Sequence, residues 1–257
     1  MTGEVHQGIG RAAAVLTALG ESKTGALRAS DIARAIGLGA STTARLLTSL
    51  EELRYVRSDG QLYSIGSAIL ELASQGLNHN PVHRESRAAA EELAHRIGLS
   101  VNVGVRDGSS LVYLCHFEGA LAPKAHTMVG MHQPLHASGL GKCLLLDLDE
   151  QERRSLLGDE LPAYTAHTIT DHPRLTEVLA ESELRGYCLE DQELALGRLS
   201  IAAPIRDADG IVAGISVSGR LSVVRELDRD ELAEQLIETA DRISVGLGLI
   251  SARPQRR

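Results

Sequence analysis

The chain has 257 residues, enough for one large domain or two ordinary ones, and 43% of them are hydrophobic, which suffices for well-packed cores. Aromatic residues make up only 2%, which argues against the base-stacking surfaces that bind single-stranded nucleic acid. The net charge of −8 is unevenly distributed: residues 1–80 carry seven basic and seven acidic side chains, and the acidic excess lies in residues 81–257. Neither part carries the basic excess that is typical of proteins held on nucleic acid by charge alone.

The three cysteines lie far apart and include no CxxC pair, which indicates reduced thiols rather than a disulfide framework. No apolar segment has the length of a membrane helix, and the first thirty residues hold no apolar core of a signal peptide. The sequence therefore predicts a cytoplasmic protein with no membrane partner.

The first predicted elements are two amphipathic helices, over residues 8–19 and 28–36. The segment Gly37-Leu-Gly-Ala40 follows, and its glycines tolerate the backbone conformation of a sharp corner. Ser41 or Thr42 is a suitable N-cap for a third helix. The apolar side of that helix is expected to consist of Leu46, Leu47, Leu50 and Leu53.

The other side of the third helix carries short hydroxyl side chains and one cation, which is typical of a recognition helix in the major groove of DNA. Residues 55–65 contain two β-prone runs across a Ser-Asp-Gly turn, which predicts the wing of a winged helix-turn-helix. The alternative is an ordinary helical corner inside a core. The predicted DNA contacts, on the helix and the wing, are Ser41, Thr42, Thr43, Arg45, Thr48, Arg57 and Gln61.

After the wing, a short helix over residues 66–75 and a break at residues 76–81 indicate a linker. A helix over residues 82–97 ends at Gly98. Two later hairpins, around residues 107–108 and 207–210, favour an antiparallel sheet and therefore an α+β fold. The helices expected to pack on it cover residues 139–146, 150–157, 172–185 and 229–249.

Small residues occupy the predicted start of the helix at Gly139, where unpaired backbone N–H groups suit a carboxylate. This is not a nucleotide P-loop, because His136 stands at the first glycine of that pattern and Cys143 replaces the magnesium-binding hydroxyl. Close packing of the backbone is the alternative explanation for the small residues.

Polar residues in the strand region could line a pocket with this helix start. Glu190 lies in an acidic segment that is predicted to be irregular, and Ser200, Ser216 and Ser218 interrupt apolar strands. Ser216 and Ser218 are two residues apart and share one sheet face. Buried hydroxyls need hydrogen-bond partners, which either a polar ligand or the backbone can supply.

The sequence predicts neither a metal site nor an enzyme. His126, His132 and His136 match no zinc-binding spacing. No Gly-x-Ser-x-Gly elbow is present, and no Ser-His-Asp set follows from spacing. No cofactor is therefore expected.

These motifs, in this order, resemble the IclR family of bacterial transcriptional regulators across nearly the whole chain. In the N-terminal half, residues 41–47 read Ser-Thr-Thr-Ala-Arg-Leu-Leu, and the wing ends in Tyr-Ser-Ile-Gly. The C-terminal half carries more specific matches, at residues 136–142, 186–193 with Gly197, 201–210 and 215–219.

The resemblance implies a winged-helix domain over residues 1–66, a linker helix over 67–81 and a profilin- or GAF-like effector domain over 82–251, followed by a tail over 252–257. It implies a homodimer or homotetramer on a pseudo-palindromic operator in double-stranded DNA. A small, acidic metabolite is expected to modulate operator binding. The regulator is expected to be a repressor rather than an activator. The effector-binding positions that the family implies are Gly139, Leu140, Glu190, Ser200, Ser216 and Ser218.

The chain departs from the family pattern at two places. Gly39-Ala40 stands where the family has Pro-Lys, which removes one phosphate contact. Glu190 and Ser200 stand where members that bind glyoxylate or pyruvate have Asp and Cys. The alternative from another class is a metabolite-binding protein or enzyme whose N-terminal helical module is only structural.

Overall fold

The computed structural model describes residues 6–121 and 128–249, so the predicted tail at 252–257 lies outside the described residues. The chain divides into two compact units, Met1–His79 and Asn80–Arg257. None of the helices in the described ranges combines the length and the hydropathy of a membrane span.

The N-terminal unit is a winged helix-turn-helix, as predicted. Its core forms where three helices pack against a short hairpin, and it contains Val15, Leu19, Ile32, Leu47, Leu50 and Val56. The second helix ends at Gly37 in the left-handed conformation with φ 67°, which a glycine adopts without strain. The elements are α1 (Gln7–Gly20), α2 (Ala29–Ile36), α3 (Ala40–Glu52), β1 (Val56–Ser58), β2 (Tyr63–Ile65) and α4 (Ser67–His79).

Three local predictions in this unit are wrong. Helix α3 already begins at Ala40 with Gly39 as its N-cap, so Ser41 and Thr42 lie inside its first turn and cap nothing. Leu53 follows the end of α3 and is 59% exposed, so it does not belong to the core. The predicted break at residues 76–81 is confined to Asn80, because an exposed helical glycine costs only about 1 kcal/mol and α4 continues through Gly76.

The C-terminal unit has the predicted antiparallel sheet. Its strand order is β5-β4-β3-β8-β7-β6, and each neighbouring pair is antiparallel. The strands are β3 (Ser100–Asp107), β4 (Ser110–Phe117), β5 (His132–Pro134), β6 (Cys188–Asp191), β7 (Arg198–Asp207) and β8 (Gly210–Arg220).

Helices flank this sheet, which confirms the predicted α+β class. The long helices α5 and α10 pack against each other and against the sheet, and the short α6 packs over β6, β7 and β8. Asn80 caps α5 by accepting the His83 N–H at 3.1 Å, and Asp171 caps α8 by accepting the Arg174 N–H at 2.9 Å. The helices are α5 (Pro81–Ile97), α6 (Gly139–Cys143), α7 (Glu150–Leu157), α8 (His172–Arg185), α9 (Leu221–Val224) and α10 (Arg229–Gly246).

Several boundaries in this unit differ from the predictions. Helix α6 ends at Cys143, and turns replace its predicted second half. Glu190 lies on strand β6 and not on an irregular segment, because residues 188–191 pair with β7. The three cysteines are free and buried.

Candidate functional site

Helix α3 presents an exposed polar face. Ser41, Arg45 and Thr48 are exposed, and Thr42 is half-buried. The Arg45 side chain has no hydrogen bond or ion pair with any residue in the described ranges, so its guanidinium is available to an external partner. Thr48 Oγ1 donates to the carbonyl oxygen of Ala44 at 3.1 Å, and this leaves its oxygen free to accept.

Thr43 does not belong to this face, which corrects the sequence prediction. Its side chain is fully buried, and its Oγ1 donates to the carbonyl oxygen of Gly39 at 3.1 Å. Residues four and seven positions later on a helix share a face, and these are the core residues Leu47 and Leu50. Thr43 therefore faces the core and cannot contact DNA.

The wing presents the other two predicted DNA contacts. Arg57 is exposed on β1, and its Nε donates to Ser64 Oγ of the partner strand at 2.9 Å. Gln61 is exposed in the turn, where Asp59 Oδ1 accepts the N–H groups of Gln61 and Leu62. The N–H groups of Leu62 and Gln61 lower the pKa of Asp59, so the carboxylate that closes the turn stays charged at neutral pH.

In the C-terminal unit, a single small cavity brings together all six predicted effector residues. Its volume is about 20 Å³, which is room for about one water molecule, so a larger ligand must widen it. The lining residues are Asn102, Tyr113, Ser138, Gly139, Leu140, Glu190, Leu194, Arg198, Ser200, Ser216 and Ser218.

Sheet register explains why the cavity is polar. Glu190 is the register partner of Ser200, and Ser200 is the partner of Ser218, so these side chains form one row across three strands. The next row on the same face pairs Ser216 with Asn102. The Asn102 Nδ2 donates to Ser218 Oγ at 3.4 Å, which joins the two rows.

Glu190 is the buried carboxyl group of the cavity. Its Oε2 accepts the Ser200 hydroxyl at 3.3 Å, and its Oε1 accepts the Leu194 N–H at 3.2 Å. Burial raises the pKa of Glu190, and the neighbouring Glu193 adds to the increase. The buried site thus holds the Glu190 proton more tightly than water does.

The start of α6 forms the opposite wall. Ser138 caps the helix by accepting the Gly141 N–H at 3.1 Å, while the N–H groups of Gly139 and Leu140 have no acceptor among the described residues. The glycines also serve close packing: an added Cβ at Gly139 would lie 2.8 Å from Ser200 Oγ, and one at Gly141 would lie 2.2 Å from the backbone oxygen of Leu135. Because α6 has only five residues, its two free N–H groups matter more than its dipole.

A buried ion pair connects the two walls, and the sequence did not indicate it. Lys142 is fully buried, pairs with the Glu193 carboxylate and donates to the backbone oxygen of Leu189 at 2.9 Å. Burial raises the pKa of Glu193, and the Lys142 charge opposes that increase. The contact ties α6 to the segment on either side of Glu190.

Asn102, Tyr113 and Arg198 also line the cavity and were missed. Asn102 interrupts an apolar strand in the same way as the serines do, which was a usable signal. Arg198 shares the sheet face of Ser200, because the two are two residues apart on one strand. The charge of Arg198 did not mark it as a cavity residue, because most charged residues at the first position of a strand face solvent.

The histidines form no ligand set in the described ranges. His132 Nε2 lies 3.2 Å from Asp107 Oδ2, and His136 Nε2 lies 2.9 Å from the backbone oxygen of Pro162. No group of three or more metal-ligating side chains occurs within residues 6–121 and 128–249, and His126 lies outside them.

A winged helix-turn-helix joined to an α+β domain with a polar internal cavity defines a DNA-binding transcriptional regulator with a small-molecule effector. Residues 8–60 match the family model of the IclR helix-turn-helix domain. Residues 74–245 match the family model of the bacterial transcriptional regulator IclR C-terminal domain. The chain belongs to the IclR family. Both the predicted family and the predicted class of function are confirmed, and the family consists of regulators and not of enzymes.

Named relatives cover almost the whole chain. The HTH-type transcriptional repressor AllR of Escherichia coli K12 is 34% identical over 250 residues, which cover 95% of this chain and 91% of AllR. The HTH-type transcriptional regulator XynR of the same strain is 28% identical over 248 residues, which cover 95% and 98%. The crystal structure of Thermotoga maritima IclR superposes with a TM-score of 0.78 at 27% identity and covers 94% of this chain and 98% of its own.

Proposed function

We propose that this protein is a transcriptional repressor whose affinity for its operator is changed by a small acid bound beside α6. Repression follows the similarity to AllR, which is named as a repressor. The cytoplasm is the proposed location, because bacterial operators lie there. The proposed domains are residues 1–66 for DNA binding, 67–81 as the linker and 82–251 for the effector.

One observation carries the effector proposal: the six effector positions converge on one cavity although they come from four separate segments. The cavity offers two free N–H groups for an anion and three hydroxyls together with the Glu190 carboxyl for other polar groups. A bare Glu190 carboxylate next to a bound anion would cost several kcal/mol in a partly dry site, on the order expected for like charges. Glu190 should therefore contact a hydroxyl or an amine of the effector.

DNA binding is proposed for the exposed residues of α3 and the wing, without Thr43. Arg45 is the central candidate, because it is exposed and has no partner among the described residues. An arginine on a recognition helix reads the guanine edge with two parallel hydrogen bonds. The full proposed set is Ser41, Thr42, Arg45, Thr48, Arg57 and Gln61.

We propose a dimer or tetramer because the DNA-binding unit carries no net positive charge. Residues 1–80 are electrically neutral, so one winged helix makes few phosphate contacts. Two copies on a pseudo-palindromic site double those contacts, with half-sites about one helical turn or a multiple of it apart. Sedimentation and footprinting test this, and a monomer that protects a single short site would contradict it.

The DNA-binding proposal is tested by selecting an operator from random DNA and measuring its binding to Arg45→Ala. Loss of one base contact should cost about 1–3 kcal/mol of binding free energy, while the thermal stability stays unchanged. Arg154→Ala is the matched control, because Arg154 is an exposed arginine of the other unit. Failure of the wild-type protein to enrich any sequence would contradict the proposal, and unchanged operator affinity would remove Arg45 from it.

The effector proposal is tested by a thermal-shift screen against small organic acids and aromatic metabolites. A ligand present at about 100 times its Kd stabilises the protein by about 2.7 kcal/mol, which such a screen detects.

A further inference from the structure

Two arginines face each other at the end of the sheet, next to the cavity. Arg198 is the first residue of β7, Arg220 is the last residue of β8, and the two are register partners. Side chains directly opposite each other on antiparallel strands share a face and lie about 5 Å apart at Cβ, where like charges are destabilising. An anion bound between them would relieve this repulsion.

Neither arginine has a carboxylate partner within residues 6–121 and 128–249. The one side-chain contact of Arg198 there is from Nη2 to Ser218 Oγ, at a long 3.4 Å, and Arg220 has none. Both side chains are exposed. The repulsion between them is therefore not balanced by acidic residues of the described chain.

The nearby acids are engaged elsewhere. Asp191 pairs with Arg225 at 3.5 Å, and Glu193 pairs with Lys142. Glu190 accepts hydrogen bonds from Ser200 and Leu194, and burial raises its pKa. Within the described ranges, no acid is therefore left to pair with the two arginines, and their charge is available to a bound anion.

The arginine pair and the cavity belong to one surface. The row Arg198–Arg220 directly precedes the row Ser200–Ser218 on the same face, and Arg198 itself lines the cavity. Successive rows on one face of a strand are about 6.7 Å apart. Burial raises the pKa of Tyr113 on the cavity wall, and the nearby Arg198 charge opposes that increase.

We propose that Arg198 and Arg220 bind a second carboxylate of the effector, which makes the effector a short dicarboxylic acid. This inference rests on the proposed function, which assigns the first carboxylate to the N–H groups at the start of α6. Arginine suits the second one because its planar guanidinium binds a carboxylate through two parallel hydrogen bonds. The start of α6 lies over Ser200, one sheet row from the arginines, so short diacids of four to six carbons are the probes of choice.

Calorimetry with matched acids tests the proposal on the full-length protein. The probes are succinate, glutarate and adipate, each compared with the monoacid of equal carbon number: butyrate, pentanoate and hexanoate. The wild-type protein should bind at least one diacid about tenfold or more tightly than its monoacid, as one charge-assisted contact implies. The variants Arg198→Met and Arg220→Met should lose this preference, because diacid and monoacid are then held through the α6 N–H groups alone.

Arg242→Met is the matched control, because it removes the same charge from the same unit outside the cavity lining, and its partner Glu92 lies on α5; it should keep the preference. Arg198→Lys keeps the charge without the planar fork and should retain part of the preference. The inference is overturned if wild type binds no diacid more tightly than its monoacid, or if the double variant Arg198→Met/Arg220→Met keeps the preference. The proposed function is tested separately, by operator binding of the ligand-free protein and by binding of the monoacids to wild type. It can therefore stand even if the preference for diacids is absent.

Discussion

The two units of this protein use polar side chains in opposite ways. On α3 the side chain of Arg45 is exposed and has no partner in the described part of the chain. Around the cavity, by contrast, buried Glu190 is hydrogen-bonded to Ser200, and buried Asn102 is hydrogen-bonded to Ser218. An exposed unpartnered group can bind an external molecule without first breaking internal contacts. The buried groups must exchange their internal hydrogen bonds for hydrogen bonds to a ligand. The cavity should therefore select among ligands, whereas α3 can bind its partner without internal rearrangement.

The largest effect is expected from the buried ion pair of the C-terminal unit. Lys142→Met leaves the Glu193 carboxylate buried without its cation, which should lower the free energy of unfolding by about 3–5 kcal/mol. Adding Glu193→Leu should restore most of that stability, because the pair is then replaced by apolar groups. Urea unfolding of both variants gives the measurement.

The control for this prediction is Arg154→Ala. It breaks the exposed pair of Arg154 and Glu150, 3.0 Å apart, and should cost less than about 1 kcal/mol. Equal losses for the exposed and the buried pair would contradict the account of the cavity wall.

A smaller effect separates the two faces of α3. Thr43→Val keeps the shape of a buried side chain but removes its hydrogen bond to Gly39, which should cost about 1 kcal/mol of stability. Operator affinity should not change. Thr48→Val should do the reverse, with a change in stability within about 0.5 kcal/mol and weaker operator binding. If Thr43→Val weakened operator binding in the folded protein, Thr43 would belong to the DNA-binding face after all.

The smallest effect concerns the pH dependence of stability. Burial raises the pKa of Glu190 above its ordinary 4.5, so the folded protein holds this proton more tightly than the unfolded chain. Stability therefore falls as the pH rises from 4.5 through the raised pKa, and Glu190→Gln removes this loss. The difference in Tm between Glu190→Gln and wild type should grow from pH 4 to pH 7, and a difference that is constant or shrinks would contradict the burial argument.

Periodicity and turn residues were enough to predict most elements. The helix over 150–157 has the predicted bounds, and the Asp171 cap, the Gly186 end of α8 and both long hairpins of the sheet were found. Strands β5 and β6 were missed because three or four residues show no reliable alternation. Thr43 was misassigned because its polarity was given more weight than its helical spacing.

Contacts between distant segments could be predicted only in part. Serines in apolar strands marked the cavity because alternation fixes which side chains share a face. The partners Lys142 and Glu193 are 51 residues apart, and no periodicity links them. The pairing of Arg198 with Arg220 likewise depends on the register of two strands, which the sequence of either strand does not contain.

The most direct test of the central claim is a single set of operator-binding measurements, with and without an acid found in the thermal-shift screen, on wild type, Arg45→Ala and Glu190→Ala. Arg45→Ala should weaken operator binding about 5- to 150-fold and keep the factor by which the acid changes it. Glu190→Ala should bind the operator normally without the acid and should lose or alter the response to it. If Arg45→Ala abolished the response to the acid, or if Glu190→Ala responded as wild type does, the division of labour between the two units would be contradicted.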